Sequence, residues 1–156
     1  MRTTCVRQLL VAGAAVIVLG TGAAPPPAHS RSVSALQPTP TQVSRSIAKR
    51  FLTAVTAKST SRAVWSSLYA PDVVVVDGAS GATVEGIDSN LRMWREWLAS
   101  NPGLRITGSV WCAGPGWAAV VVTERTPSML HRAVGVEQIR KGLIVREIDY
   151  YETTSR

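Results

Sequence analysis

The chain is poor in residues that form disulfides, bind metal ions or bind nucleic acids. Its 156 residues include two cysteines and two histidines, which excludes a disulfide-rich scaffold and a Cys/His metal cluster. Basic residues number 17 against 10 acidic ones, but they are dispersed, and no run is longer than Arg140-Lys141. Proteins that bind nucleic acids gather such charges on one element. We therefore expect no metal, no cofactor and no nucleic-acid partner.

A hydrophobic segment long enough to span a membrane is also missing. Leu9 to Leu19 is apolar, but a spanning helix needs about 20 such residues, and Gly20 to Pro27 interrupts any continuation. Two arginines precede the apolar segment, as is typical of a secretory signal peptide. We predict that residues 1–30 are a signal peptide cleaved after Ser30. The protein is then secreted or held in the cell envelope, with no stable membrane insertion after cleavage.

The rest of the chain divides into a short linker and one domain. Residues 31–41 carry Pro38 and Pro40 among Ser, Thr and Gln and show no hydrophobic period, which predicts a flexible linker. The apolar periodicity that follows predicts a single domain over residues 42–153.

Within this domain, helices come first and strands follow. Apolar residues three and four apart predict a helix from Val43 to Val55, and similar patterns predict helices at Ala63–Leu68 and Ile87–Leu98. The valine run inside Asp72–Asp77 predicts a strand between the second and third helices. Four further β-rich segments lie at residues 104–112, 117–125, 129–139 and 143–152. This order predicts an α+β fold in which three N-terminal helices pack on a strongly curved antiparallel sheet.

Two motifs in the strands carry a family resemblance. The order of the elements resembles the cone-shaped fold shared by nuclear transport factor 2, ketosteroid isomerase and the SnoaL-like cyclases. Within that superfamily, limonene epoxide hydrolases carry Thr-Glu-Arg-x-Asp on one strand and Asp-Tyr-Phe-Asp on the last. The matching stretches here are Thr123-Glu124-Arg125-Thr126-Pro127 and Asp149-Tyr150-Tyr151-Glu152, so the chain most resembles these hydrolases.

The resemblance implies a catalytic site that is incomplete in this sequence. It implies that Asp149 activates water and that Arg125 orients the acids. The third position, an aspartate that protonates the epoxide oxygen, is replaced by Pro127, which has no acidic proton. Arg125 can face the same pocket as Asp149 if their strands are neighbours.

Asp77 offers a second acid. The stretch Asp72–Asp77 resembles the part of ketosteroid isomerase that ends in its general base, but the oxyanion-binding positions of that enzyme fall on Phe51 and Gly135, which offer no donor. Arg125 would keep Asp149 ionised, and Asp77 would then be the protonated partner. The alternative is that Asp149 and Arg125 form a structural ion pair.

Further residues are predicted to contact a ligand. Trp94 and Trp97 on the third helix either fill the core or form the walls of an apolar site. Alternation along the last strand places Glu147 and Tyr151 on the same side as Asp149. We therefore predict these four side chains, Trp94, Trp97, Glu147 and Tyr151, as substrate-binding.

Three functions remain open from the sequence. The first is a hydrolase or isomerase that acts on a small apolar substrate, and the second is a carrier that binds an apolar metabolite or lipid without catalysis. The third is an interaction protein that forms a homodimer through its sheet and retains only a vestigial pocket. A cavity of about 300 Å³ or more with Asp149 at its floor would favour the first two.

The signal-peptide prediction can be tested on the exported protein. The mature chain recovered outside the cytoplasm should begin within a few residues of Arg31, as read by N-terminal sequencing. A mature N-terminus that still contains Leu9 to Leu19 would show that the segment is not a cleaved signal peptide.

Overall fold

The computed structural model describes residues 37–155, and these residues form an α+β domain. The predicted signal peptide lies outside the described residues, as does most of the predicted linker. The elements in chain order are α1 (Pro40–Thr56), α2 (Arg62–Ser66), β1 (Tyr69–Asp77), β2 (Thr83–Glu85), α3 (Ile87–Ser100), β3 (Arg105–Gly114), β4 (Trp117–Arg125), β5 (Met129–Arg140) and β6 (Leu143–Ser155). The predicted fold class is confirmed, and β2 is the strand that the sequence pattern missed.

Helix α1 begins three residues earlier than predicted. Thr39 caps it by accepting a hydrogen bond from the backbone N–H of Gln42, whose side chain accepts in return from the backbone N–H of Thr39. Pro40 is then the first helical residue, where a proline costs no hydrogen bond. Pro40, one of the two prolines that indicated a linker, therefore marks the start of a helix.

The six strands form one curved sheet in the order β2-β1-β6-β5-β4-β3. Four of the five pairings are antiparallel, but β1 runs parallel to β6, so the sheet is mixed rather than wholly antiparallel. The parallel pairing arises because β1 precedes α3 in the chain and joins the far edge of the β3–β6 meander.

Strands β5 and β6 are joined by a two-residue turn. Lys141 and Gly142 both have positive φ, 51° and 77°, which is the conformation of the turn that matches the twist of a hairpin. A register shift then occurs in β6 between Ile144 and Arg146, so Val145 has no opposite residue in the β5–β6 ladder. Beyond this bulge, Asp149 pairs with Gly135.

The helices cover the concave face of the sheet. Phe51, Trp65 and Leu91 come from the three helices and are buried against apolar residues of the strands, such as Val73 and Ile144. Burial of such side chains contributes roughly 1.5–3 kcal/mol each. No helix among residues 37–155 combines the length and apolarity that crossing a membrane requires.

Candidate active site in the cone

A cavity of about 560 Å³ lies between the three helices and the concave face of the sheet. Most of its lining is apolar and comes from α1, α2, α3, β1 and the inward-facing residues of β4, β5 and β6. The polar side chains that line it are few; Asn90 of α3 is one of them, and most of the others fall into two groups. Tyr69, Glu147 and Asp149 form one group, and Glu124 and His131 belong to the other.

The first group is a carboxyl pair with a tyrosine behind it, which we call the floor. The Tyr69 hydroxyl donates a hydrogen bond to Glu147 Oε2, and Glu147 is also hydrogen-bonded to Asp149. Tyr69 is itself fixed by stacking on Trp65, with ring centroids 5.3 Å apart. The three polar groups thus form a chain that ends at the carboxyl of Asp149.

Burial governs the ionisation of the floor. Desolvation raises the pKa of Asp149 to about 6, although the hydrogen bond with Glu147 acts in the opposite direction and the nearby charge of Asp77 adds to the rise. Burial also raises the pKa of Glu147 well above its ordinary value, helped by the charges of Asp149 and Glu137. The arrangement therefore favours a proton on Glu147 and a carboxylate on Asp149.

Gly135 makes room for these carboxyls. It pairs with Asp149 on the neighbouring strand, and a Cβ atom added at this position would lie 3.0 Å from Asp149 Oδ1 and 3.1 Å from Val120 Cγ2. Because Gly135 has no side chain, the Asp149 carboxyl can lie close to its backbone.

Glu137 lies behind the floor and does not line the cavity. It is opposite Glu147 on the neighbouring strand and is fully buried, and neither of its carboxyl oxygens has a hydrogen-bond partner. Burial is the main reason that its pKa rises to about 8, with a further contribution from the charge of Asp149. Among residues 37–155, the single ion pair joins Arg62 and Asp88 on the surface, so no cation there neutralises Glu137 or the floor.

Arg125 is not part of the site, so the predicted Asp149–Arg125 pair is wrong. Strand β5 separates β4 from β6, and Arg125 is exposed and absent from the cavity lining. Alternation along β4 places Val120, Val122 and Glu124 towards the cavity and Arg125 on the convex face. The inward-facing residue of the Thr123-Glu124-Arg125 stretch is the glutamate.

Asp77 lies next to Asp149 in the β1–β6 register, but its expected role as the protonated acid is wrong. Its carboxyl accepts hydrogen bonds from Ser80 Oγ, from the backbone N–H groups of Ala79 and Ser80, and from the Tyr151 hydroxyl. These bonds, that from Ser80 Oγ first, lower the pKa of Asp77 to about 2. Asp77 is therefore an ionised group that holds the turn after β1 and the Tyr151 side chain at the rim.

The two predicted tryptophans of α3 both line the cavity. The indole N–H of Trp94 donates to the backbone oxygen of Ser59 at 3.0 Å, and that of Trp65 donates to the same oxygen at 2.8 Å. One carbonyl thus connects the wall residues of α2 and α3. Trp97 lies further along α3, beside the second polar group.

The second polar group is a glutamate and a histidine on adjacent strands. Glu124 pairs with His131 in the β4–β5 register, and the His131 ring lies between Trp97 and Tyr151, at centroid distances of 5.7 Å and 5.0 Å. Burial raises the pKa of Glu124, against a lowering by the neighbouring Trp97 indole, and burial lowers the pKa of His131. Both shifts favour the uncharged forms.

Four titratable residues of this region were not among the predicted site residues: Tyr69, Glu124, Glu137 and His131. The alternation that selected Glu147 and Tyr151 on β6 would have selected Glu124 on β4 if the opposite face had been chosen. Glu137 is in register with Glu147, but no local pattern shows a strand pairing. Within residues 37–155, no three Asp, Glu, His or Cys side chains converge as a metal site would require.

This architecture defines a class of protein, the nuclear transport factor 2-like cone. The chain is similar to the crystal structure of a putative ketosteroid isomerase from Kribbella flavida, with a TM-score of 0.64 and 22% identity over 73% of this chain and 81% of that one. It is also similar to an LEH-like epoxide hydrolase from M. tuberculosis, with a TM-score of 0.57 and 12% identity over 73% and 86% of the two chains. A putative polyketide cyclase from Sinorhizobium meliloti has a TM-score of 0.52 and 24% identity over 67% and 94%.

Within this class the chain belongs to the SnoaL-like family. The model of the SnoaL-like domain matches residues 48–147, which is most of the described domain. The chain matches none of the curated protein sequences. The resemblance inferred from the order of the elements is therefore confirmed for the family and the fold.

A test of the buried charge is the effect of Glu137→Gln on stability. A carboxyl with a raised pKa in the folded state destabilises the fold progressively as pH rises from its unfolded value, near 4.5, through about 8. Glu137→Gln removes this ionisation, so the melting temperature of the variant should exceed that of the wild type at pH 9 and equal it within error near pH 4.5. A calorimetric pH series measures this difference, and a constant difference across the series would show that Glu137 keeps an ordinary pKa.

Gly135→Ala tests the fit of the floor. The added methyl group forces Asp149 Oδ1 or Val120 to move by a few tenths of an ångström, and overpacking of this kind costs about 1–3 kcal/mol. We expect a lower melting temperature together with a changed titration midpoint of the Asp149 carboxyl in ¹³C NMR. Val136→Ala, the next residue on the convex face, is the control and should leave the midpoint unchanged. An unaltered midpoint in Gly135→Ala would contradict the contact.

Proposed function

We propose that the protein is an enzyme that moves a proton on a small, largely apolar substrate, with Asp149 as the general base. The observation that carries the proposal is the buried carboxyl pair of Glu147 and Asp149 at the floor of an apolar cavity. A pKa of about 6 for Asp149 suits a base, because it is ionised at neutral pH and still binds a proton strongly enough to remove one from a carbon.

The reaction class that fits is isomerisation through an enolate. Asp149 removes a proton from a carbon next to a carbonyl. The C–H electron pair forms a carbon–carbon double bond while the carbonyl π pair moves onto oxygen, which gives an enolate. The same carboxyl then returns the proton to another carbon of the conjugated system, so the substrate keeps its composition and the enzyme regains its carboxylate. Glu147, whose raised pKa favours the protonated form, donates its one O–H to the Asp149 carboxylate. Once Asp149 has taken up the substrate's proton, this O–H can turn to the enolate oxygen and would stabilise it.

Epoxide hydrolysis is less well supported. It needs a base for the attacking water and an acid for the leaving oxygen on opposite sides of the substrate. Here Glu147 and Asp149 are hydrogen-bonded neighbours, and Arg125 and Pro127 are both exposed. A single carboxyl that delivers and removes a proton on one face of the substrate is sufficient for isomerisation.

A carrier without catalysis is the second candidate, and the predominantly apolar lining of the cavity favours it. A carrier has no use for a base, however, and burial of the carboxyls without a cation costs stability. We therefore place the enzyme first. Export and homodimer formation stay predictions from the sequence.

Asp149→Asn tests the catalytic proposal. The variant keeps the shape of the side chain but removes the base, so turnover of apolar β,γ-unsaturated ketones should fall at least 100-fold. Wild-type turnover should rise with pH through about 6, as Asp149 ionises. The readout is the absorbance of the conjugated product, and the panel includes epoxides and lactones as substrates for hydrolysis.

The matched control is Asp72→Asn, the same change at an exposed carboxyl of β1, which should leave turnover unchanged. Turnover that survives Asp149→Asn would exclude Asp149 as the base. If the wild type turns over no member of the panel but binds a fluorescent apolar probe tightly, the carrier function replaces the enzyme.

A further inference from the structure

The cavity has a second polar region at a distance from the floor. Glu124 is opposite His131 on β5, whereas Asp149 is opposite Gly135 on the same strand. His131 and Gly135 are four residues apart, or about 13 Å along the strand. Both Glu124 and His131 line the cavity, and the charge of Asp149 contributes to the raised pKa of Glu124, so the two polar regions influence each other across one cavity.

Glu124 has the properties of a ligand-binding group rather than of a structural one. The residue is only 8% exposed, yet it forms no ion pair within the described residues. Its neighbour Arg125 points to the convex face. The polar side chain beside Glu124 is the indole of Trp97, which supplies one N–H. The carboxyl can form further hydrogen bonds, and because Glu124 lines the cavity these are available to a ligand.

His131 is held in place beside it. Its Nδ1 lies 3.2 Å from Thr153 Oγ1, and its ring is packed between Trp97 and Tyr151. The orientation of the imidazole is therefore fixed by contacts that do not involve Nε2. In the neutral form each imidazole nitrogen either donates or accepts a hydrogen bond.

We propose that Glu124 and His131 bind a hydroxyl group at the end of the substrate remote from the reacting carbon. A hydroxyl can donate to a carboxylate or accept from a carboxylic acid, so it fits Glu124 in either ionisation state, and it fits a neutral imidazole equally. An anionic group would be repelled by the Asp149 carboxylate and would meet no lysine or arginine among the described residues that line the cavity. The substrate class is thus an elongated apolar molecule, roughly 10 Å long, with a polar group at each end.

This inference rests on the proposed function only for its assignment of the reacting end to Asp149. The binding of the remote hydroxyl can be measured without any turnover. Three probes with the same rigid apolar skeleton serve for this purpose: bicyclohexyl, its mono-alcohol, and the diol with hydroxyls at the two far ends. Isothermal titration calorimetry at neutral pH gives the affinity of each.

For the wild type we expect the diol to bind roughly 3- to 10-fold more tightly than the mono-alcohol, the gain from one further hydrogen bond. Glu124→Leu should abolish this gain, so that the diol and the mono-alcohol bind equally. Glu124→Gln keeps a group that donates and accepts and should retain part of the gain. Arg125→Gln, one residue away on the opposite face, is the matched control and should leave all three affinities unchanged.

Three outcomes would overturn the inference. They are equal binding of diol and mono-alcohol by the wild type, a diol preference that persists in Glu124→Leu, and tighter binding of the corresponding amino-alcohol than of the diol that is lost in Glu124→Leu. The last result would make Glu124 a site for cations, whereas an amino-alcohol preference that survives in Glu124→Leu belongs to Asp149. A diol preference that depends on Glu124, in a protein that shows no turnover, would support this inference and contradict the proposed enzymatic function. Turnover without a diol preference would support the enzymatic function and contradict this inference.

Discussion

A one-residue bulge in β6 decides which side chains face the cavity. The two-residue turn at Lys141-Gly142 sets the first pairs of the β5–β6 hairpin, and the bulge at Val145 then shifts the register by one residue. Because side chains alternate across a strand, this shift exchanges the two faces of everything that follows. It brings Glu147 opposite Glu137 and Asp149 opposite Gly135, so the carboxyl pair, its buried neighbour and the space it occupies all depend on the bulge.

The site that results has a high cost in stability and a specific chemical benefit. Three carboxyls lie close together with no cation beside them in the described part of the chain, and such groups are stable in a buried place chiefly when protonated. Protonation of Glu147 and Glu137 leaves Asp149 as the member that exchanges its proton near pH 6. Two further residues act on this protonation equilibrium. Tyr69, behind Glu147, acts through its hydrogen bond to Glu147, and Asp77, at the rim, acts on Asp149 through its charge.

The sequence was sufficient for the fold and for part of the site, and the reasons are local. Apolar spacing located the three helices, and alternation placed Glu147, Asp149 and Tyr151 on one side of β6. Arg125 was misplaced because the inward face of β4 is set by the β4–β5 and β5–β6 registers, which the pattern of a single strand does not show. Asp77 was misjudged because its low pKa results from the turn at Ala79 and Ser80 and from Tyr151, and a strand pattern carries no information about either.

The parallel pairing of β1 with β6 also has a consequence for folding kinetics. Tyr69 and Glu147 are separated by 78 residues in the chain, whereas the β3–β6 meander is built from adjacent hairpins. Loop closure over such a separation is entropically costly, so contacts of this kind slow the folding of small domains. The meander can assemble from local contacts, but the floor of the cavity forms only when β1 docks on β6. The acid–base properties of Asp149 are therefore among the last features that the folding chain acquires.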